Sequence, residues 1–248
     1  MSTYIKFMSC LMAVFILVIS PNIALSISFG DLLKEAAKVI QPGQGLTENE
    51  IVNGLKEALE IGTKNAAETV AKLDGYYEDP DIHIPLPESV REFEKILRMA
   101  GYGEKVDAFE LSMNRAAETA APEAKSLFYN AVQTMTFDDA RRILNGADDE
   151  ATKYFREKTG ERLTELFKPI VHDSMGQVGV TRYFQDLNAT LQTIPFASDM
   201  VSFDLDEYVT LKGLDGLFLM LAREEAKIRQ NPAARVTDLL QKVFGEAK

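Results

Sequence analysis

Two histidines, a handful of tyrosines and several acidic clusters are the side chains of this chain best suited to chemistry, and their spacing limits what that chemistry can be. His83 and His172 lie far apart in sequence and in no ligand spacing, whereas zinc needs three or four converging N, S or O ligands. "DLDE" (Asp204 to Glu207) and "DDE" (Asp148 to Glu150) lack the glycine and spacing of a calcium loop, and Asp148 reads more simply as a helix cap. No metal is expected. "HDS" (His172 to Ser174) has the letters of a nucleophilic relay, but neighbouring residues on a helix point about 100° apart and cannot form one among themselves. No GxSxG, P-loop or dinucleotide fingerprint occurs, so neither a catalytic set nor a cofactor is expected.

The stretch "GYYEDPDIHIPLPESV" (Gly75 to Val90) concentrates three prolines, two tyrosines and His83. Tyr76, Tyr77, Tyr208 and the pair Arg182-Tyr183 supply the amphipathic contacts that recognition surfaces favour. In "DAFELSMNRAAETAAPEAK", Phe109, Met113, Ala116, Ala117 and Ala120 form an apolar helix face, while Asp107, Glu110, Asn114 and Glu118 form a polar stripe with Arg115 at its margin. Such a stripe is either a solvated face with one weak Arg115–Glu118 pair, or the lining of a groove in which Asn114 and Arg115 hold an anionic or carbonyl ligand. Tyr76, Tyr77, His83, Asn114, Arg115 and Tyr208 are the candidate binding residues.

The elements that must position them are helical. Apolar or small residues at Ile51, Leu55, Ala58, Leu59, Gly62, Ala66, Val70 and Leu73 recur every three or four positions, which defines one buried helical stripe. Thr47 to Glu50 reads as its capping box. Further helices are expected over 89–99, 104–120, from Pro122 to about 134, 137–144 (capped by Thr136, closed by Asn145-Gly146), 148–158, 161–175 (kinked at Pro169), 181–193, 206–230 and 233–244. Two segments alternate with period two: Ile82, Ile84 and Leu86, and Val201, Phe203 and Leu205. That spacing predicts extended chain with one apolar face. A lone strand leaves its backbone groups unpaired, so 82–86 is expected to pair with 201–205, with Pro85 and Pro87 suiting an edge. The expected fold is one mainly α domain of about ten helices, residues 46–248, braced by a short two-stranded antiparallel ribbon.

"MSTYIK", the apolar run Phe7 to Ile19, Ser20-Pro21 and "ALS" at 24–26 have the layout of a secretory signal peptide (residues 1–26). Residues 27–45, broken by "QPGQG", read as a flexible lead-in. The one cysteine, Cys10, would leave with the signal, excluding disulfides and thiolate chemistry from a mature exported chain. Removing Lys6 takes the formal net charge from −11 to −12. That charge repels phosphate backbones, so nucleic acid is not an expected partner. No later apolar stretch is long enough to span a membrane.

Seven segments together resemble the bacterial exported proteins grouped as domain of unknown function 4197: "GLKEALEIGTKNA" (54–66), "IPLPESVR" (84–91), "ELSMNRAAETAAPEAK" (110–125), "DDARRILNGADDEATKYFR" (138–156), "VGVTRYF" (178–184), "FDLDEYVTLKGLDGLF" (203–218) and "IRQNPAARVTDLLQKVFG" (228–245). The resemblance implies a mainly helical, secreted or periplasmic bacterial protein and carries over no catalytic residues. Three functions stay open from the sequence. The first is a non-enzymatic domain binding an envelope protein or small ligand through the ribbon and its neighbouring helices. The second is a carrier of an apolar molecule in an inter-helix cavity. The third is a hydrolase with a dispersed site, which needs a serine or carboxylate within reach of His83 or His172.

Overall fold

A computed structural model describes residues 47–177 and 204–230, of which 82% are helical. The expected signal peptide, lead-in, helices over 181–193 and 233–244, and strand residues 201–203 lie outside the described residues. Helix α1 (Glu48–Val70) starts where the Thr47 carbonyl accepts the Ile51 N–H at 3.1 Å. It buries Leu55, Ala58, Leu59, Ala66 and Val70 of the expected stripe, and Ala67 beside them, whereas Leu73 lies past the helix end and is exposed. After it the chain reverses through Asp74, in the left-handed region at φ 65°, and Gly75. A Cβ on Gly75 would lie 2.7–2.9 Å from the carbonyl oxygens of Thr69, Val70 and Lys72, so no larger residue fits this turn.

The expected helix over 89–99 is instead two four-residue helical turns, Glu88–Arg91 and Glu94–Leu97, followed by a π turn at Arg98–Tyr102 that contains Gly101 at φ 90°. Then come α2 (Gly103–Ala120), a 3₁₀ turn carrying Pro122, α3 (Ala124–Gln133) and α4 (Phe137–Asn145). Thr136 caps α4 as expected: its Oγ1 accepts the Asp139 N–H, and Asp139 accepts the Thr136 N–H, each at 3.1 Å.

The segments 148–158 and 161–175 are one helix, α5 (Glu150–Gln177), with Pro169 inside it. Gly160 costs a helix about 1 kcal/mol relative to alanine, but Tyr154, Phe155, Thr159, Leu163, Phe167 and Val171 are all buried on one continuous face. Burying that face outweighs the local penalty. The last described helix is α6 (Leu205–Gln230). It runs antiparallel to α5, since Asp206 meets His172 near one end and Asp215 meets Arg156 further along. The core forms where α3, α5 and α6 converge. There Phe128 meets Phe155 and Phe218 edge-on at 5.3 and 6.0 Å between centroids, the geometry aromatic pairs prefer.

Ten helices and a two-stranded ribbon are not seen among the described residues. Leu205 begins a helix rather than ending a strand, and residues 83–87 are irregular chain with no strand beside them among the described residues. The Ile84 backbone groups find their hydrogen bonds on a side chain instead.

Nor is Asp148 the cap of α5. Glu225, buried on α6, accepts the Ala151 and Thr152 N–H groups and the Thr152 hydroxyl, each at 2.8 Å. It also takes two hydrogen bonds from buried Arg229, which donates in turn to the Ile143 carbonyl at 2.7 Å. One carboxylate therefore ties the start of α5 to the far end of α6. Glu225→Ala leaves a buried guanidinium without its carboxylate and α5 uncapped, and should lower stability by about 3–5 kcal/mol. Urea unfolding monitored by circular dichroism measures this; a loss below about 1 kcal/mol would refute the role.

Candidate functional site

The proline-rich loop from Gly75 to Pro87 lies over α2 and α6, and three side chains hold its backbone. The Ile84 N–H donates to Asn114 Oδ1 at 2.9 Å, and Asn114 Nδ2 donates back to the Ile84 carbonyl at 2.9 Å. That two-way exchange is what a neighbouring strand residue would provide. Glu118 Oε1 accepts the Tyr76 and Tyr77 N–H groups at 3.1 and 3.4 Å. The Tyr208 hydroxyl donates to the Pro85 carbonyl at 3.0 Å. Ile82, Ile84 and Leu86 are buried, so the alternation read in the sequence is real although no strand forms.

Tyr76 is fully buried and its hydroxyl donates to the Gly213 carbonyl at 2.6 Å. Burial, with Glu118 close by, pushes this phenol far above its ordinary pKa. Gly216 makes room for it: a Cβ there would lie 2.7 Å from Tyr76 Cε1 and 3.0 Å from Ile82 Cβ. The left-handed Asp74 is paired with Arg115 at 2.5 Å, and Arg115 also reaches Glu118 Oε2 at 2.6 Å. Burial works against the Arg115 charge, but its bonds to Glu118 and Asp74 more than offset this and raise its pKa. At the loop's other margin Arg223 of α6 binds Asp79, at 3.1 Å, and Asp81.

His83 bridges the loop to α2. Its Nδ1 lies 2.8 Å from the Tyr77 carbonyl and its Nε2 2.7 Å from Glu110 Oε1. A backbone carbonyl only accepts, so Nδ1 carries a proton. Both ring nitrogens are thus engaged by groups of this chain. The Tyr77 ring stands 5.3 Å from the imidazole. Tyr77 is 36% exposed.

The structure thus brings all six candidate residues to one loop but divides their work. Tyr76 and Asn114 are internal ties. Tyr77, His83, Arg115 and Tyr208 are partly accessible. Of the polar stripe of α2, Asp107 is exposed, but Asn114 and Glu118 are buried, and the carbonyl that Asn114 holds belongs to this chain. Sequence reading missed the roles of Glu110, Glu118, Asp74 and Arg223. The i, i+4, i+8 spacing of Glu110, Asn114 and Glu118 was the available signal, though nothing local told which way the stripe faces.

The second histidine lines an open groove of α5 and α6 with Thr164, Lys168, Pro169 and Asp206. His172 Nδ1 lies 2.7 Å from Asp206 Oδ2, and that hydrogen bond raises the imidazole pKa. No serine or threonine hydroxyl is bonded to either histidine among the described residues. Asp204 caps α6 by accepting the Glu207 N–H at 2.9 Å and pairs with Lys168 at 2.8 Å. The Lys168 bond draws its pKa down. The acidic run 204–207 is therefore capping and pairing machinery. Among the described residues no group of three or more His, Cys, Asp and Glu side chains is placed to hold a metal, and no helix is long and apolar enough to cross a membrane.

Fold and site together define a helical domain organised around a side-chain-pinned loop. The chain belongs to the family described as "Protein of unknown function (DUF4197)", whose model matches residues 45–245. No curated protein and no solved structure matches it.

Because Asp206 raises its folded pKa, protonated His172 contributes stability that is complete below the unfolded value of about 6.5 and disappears as pH rises through the folded value. With two histidines in the chain, a proton NMR titration resolves both rings. His172 should titrate above the ordinary histidine value, and Asp206→Asn should bring it back down. An unchanged midpoint in that variant would contradict the pairing.

Proposed function

We propose that this chain is a non-enzymatic, exported binding domain whose recognition face is the outer side of the 75–87 loop with the adjoining edges of α2 and α6. One observation carries the reading: an irregular, proline-rich loop is fixed from beneath by Asn114, Glu118 and Tyr208, while Tyr77 and His83 stand at its surface. A loop held in a single conformation loses little entropy when it binds, which makes it an economical recognition element. Tyr77 is the anchor: a half-accessible aromatic ring beside an imidazole already paired with Glu110. Arg115 and Tyr208 flank it.

Export rests on the signal-like layout of residues 1–26. The partner is an envelope protein or a small ligand. The other two readings draw less support. Among the described residues, an apolar groove of about 160 Å³ lined by Ile51, Val52, Phe137 and Leu144 falls below the roughly 300 Å³ at which drug-sized ligand sites begin. A hydrolase has a carboxylate on each histidine, Glu110 on His83 and Asp206 on His172, but no serine or threonine hydroxyl is bonded to either among the described residues.

Tyr77→Ala and His83→Ala should each weaken capture of the native-envelope partner by about tenfold or more, the effect of truncating an anchor residue. Both variants should keep the thermal midpoint within a few degrees of the parent. Affinity purification with quantitative mass spectrometry reads the first quantity and calorimetry the second. Capture unaffected by either substitution would move the recognition face elsewhere.

A further inference from the structure

The two hydrogen bonds of His83 place a condition on the proton count of the loop. Its Nδ1 donates to the Tyr77 carbonyl at 2.8 Å, and its Nε2 lies 2.7 Å from Glu110 Oε1. A carbonyl oxygen only accepts, and so does an ionised carboxylate. Both bonds therefore exist only while the pair holds one proton more than a neutral imidazole and an ionised carboxylate carry between them. The requirement is the same whether that proton is counted on Nε2 or on Glu110. Both side chains are 24% exposed, so water can take the proton away.

Its removal sets two lone pairs against each other. They face across 2.7 Å at Glu110 if the ring keeps its Nδ1–H, and across 2.8 Å at Tyr77 if it takes the other tautomer. Either way one end of the bridge opens, and the Tyr77 ring, 5.3 Å from the imidazole, loses its seat. The ties beneath the loop are of another kind. Asn114 holds Ile84 through an amide, which does not titrate, and Glu118 accepts backbone N–H groups and Arg115.

The charged and titratable neighbours come from each element around the pair. Tyr208 of α6 has a phenol raised by burial that also feels Arg91, Glu110 and Glu88, and those last two-turn residues Arg91 and Glu88 pair with each other at 2.6 Å. On α2, Asp107 stands one turn before Glu110 and binds Arg98. In the loop, Asp79 and Asp81 bind Arg223, and Glu78 is exposed. Among these side-chain types only an imidazole ordinarily changes charge between about pH 5 and 8.

Taking the loop face as the recognition surface, we infer that the His83–Glu110 pair is a proton-operated clasp. With the proton held, Tyr77 is seated for binding. Without it the outer face of the loop loosens while the inner ties hold, so recognition weakens as pH rises.

NMR of the full chain tests the clasp with no partner present. At about pH 5.5 a cross-relaxation peak should join the Tyr77 and His83 rings, and at about pH 8.5 it should fall by about fivefold or more. The Ile84 amide should stay protected at both. Glu110→Gln supplies an amide N–H that donates to an unprotonated Nε2, so in that variant the peak should persist at both pH values. A peak of equal strength at both in the parent would overturn the inference, and so would an equal loss in Glu110→Gln. Loss of Ile84 protection together with the peak would overturn it too, since the whole loop would then be opening. If capture of the envelope partner depends on Tyr77 yet stays level across this span, the clasp does not govern recognition and the inference falls, while the loop-face reading stands.

Discussion

A buried stretch of chain that cannot join a sheet must find its hydrogen bonds among side chains, and at Ile84 a single asparagine supplies both. Each unpaired backbone group in such a position costs about 1–3 kcal/mol. Asn114 suits the task because its amide both donates and accepts in one plane. A carboxylate only accepts, and a lysine only donates. The residue must also sit in the middle of a helix facing the loop, which fixes the orientation of α2 and, through its Ala116-Ala117 face, the approach of α6. Gly213 allows that approach: a Cβ there would lie 3.2 Å from Ala117 Cβ.

From this constraint the distribution of charge follows. The chain is acidic overall, yet the carboxylates around the loop are largely engaged: Glu118 with two backbone N–H groups and Arg115, Asp74 with Arg115, Asp79 and Asp81 with Arg223, and Glu110 with His83. A comparable device works near the C-terminal end of α6, where Glu225 accepts five hydrogen bonds. Both buried carboxylates cap backbone donors contributed by another part of the chain. This use of charge fixes the relation between distant segments, whereas surface pairs such as Arg91–Glu88 contribute little.

Helical periodicity made α1, α2 and α6 legible in the sequence, because each buries one stripe of apolar residues at spacings of three and four. The Thr136 cap was legible too, since its chemistry is local. The continuity of α5 was not: Gly160 and Pro169 argue for breaks, and only the tertiary burial of Leu163, Phe167 and Val171 overrides them. The ribbon was misread for a related reason. Period-two alternation in Ile82–Leu86 reports which side chains are buried, and it is silent on what satisfies the backbone. An asparagine thirty residues away leaves no trace in the local pattern. The six candidate residues lie around one loop, but which of them are ties and which remain accessible depends on the packing of α2 against α6.

The functional reading rests on the loop having one conformation. Hydrogen exchange at the Ile84 amide measures this most directly. The account predicts protection comparable to that of the interior amides of α2, because opening requires breaking the Asn114 bridge and exposing Ile82, Ile84 and Leu86 together. Exchange of the Ile84 N–H at the rate of an unstructured amide, while α2 stays protected, would show that the loop is not pinned and would contradict the account.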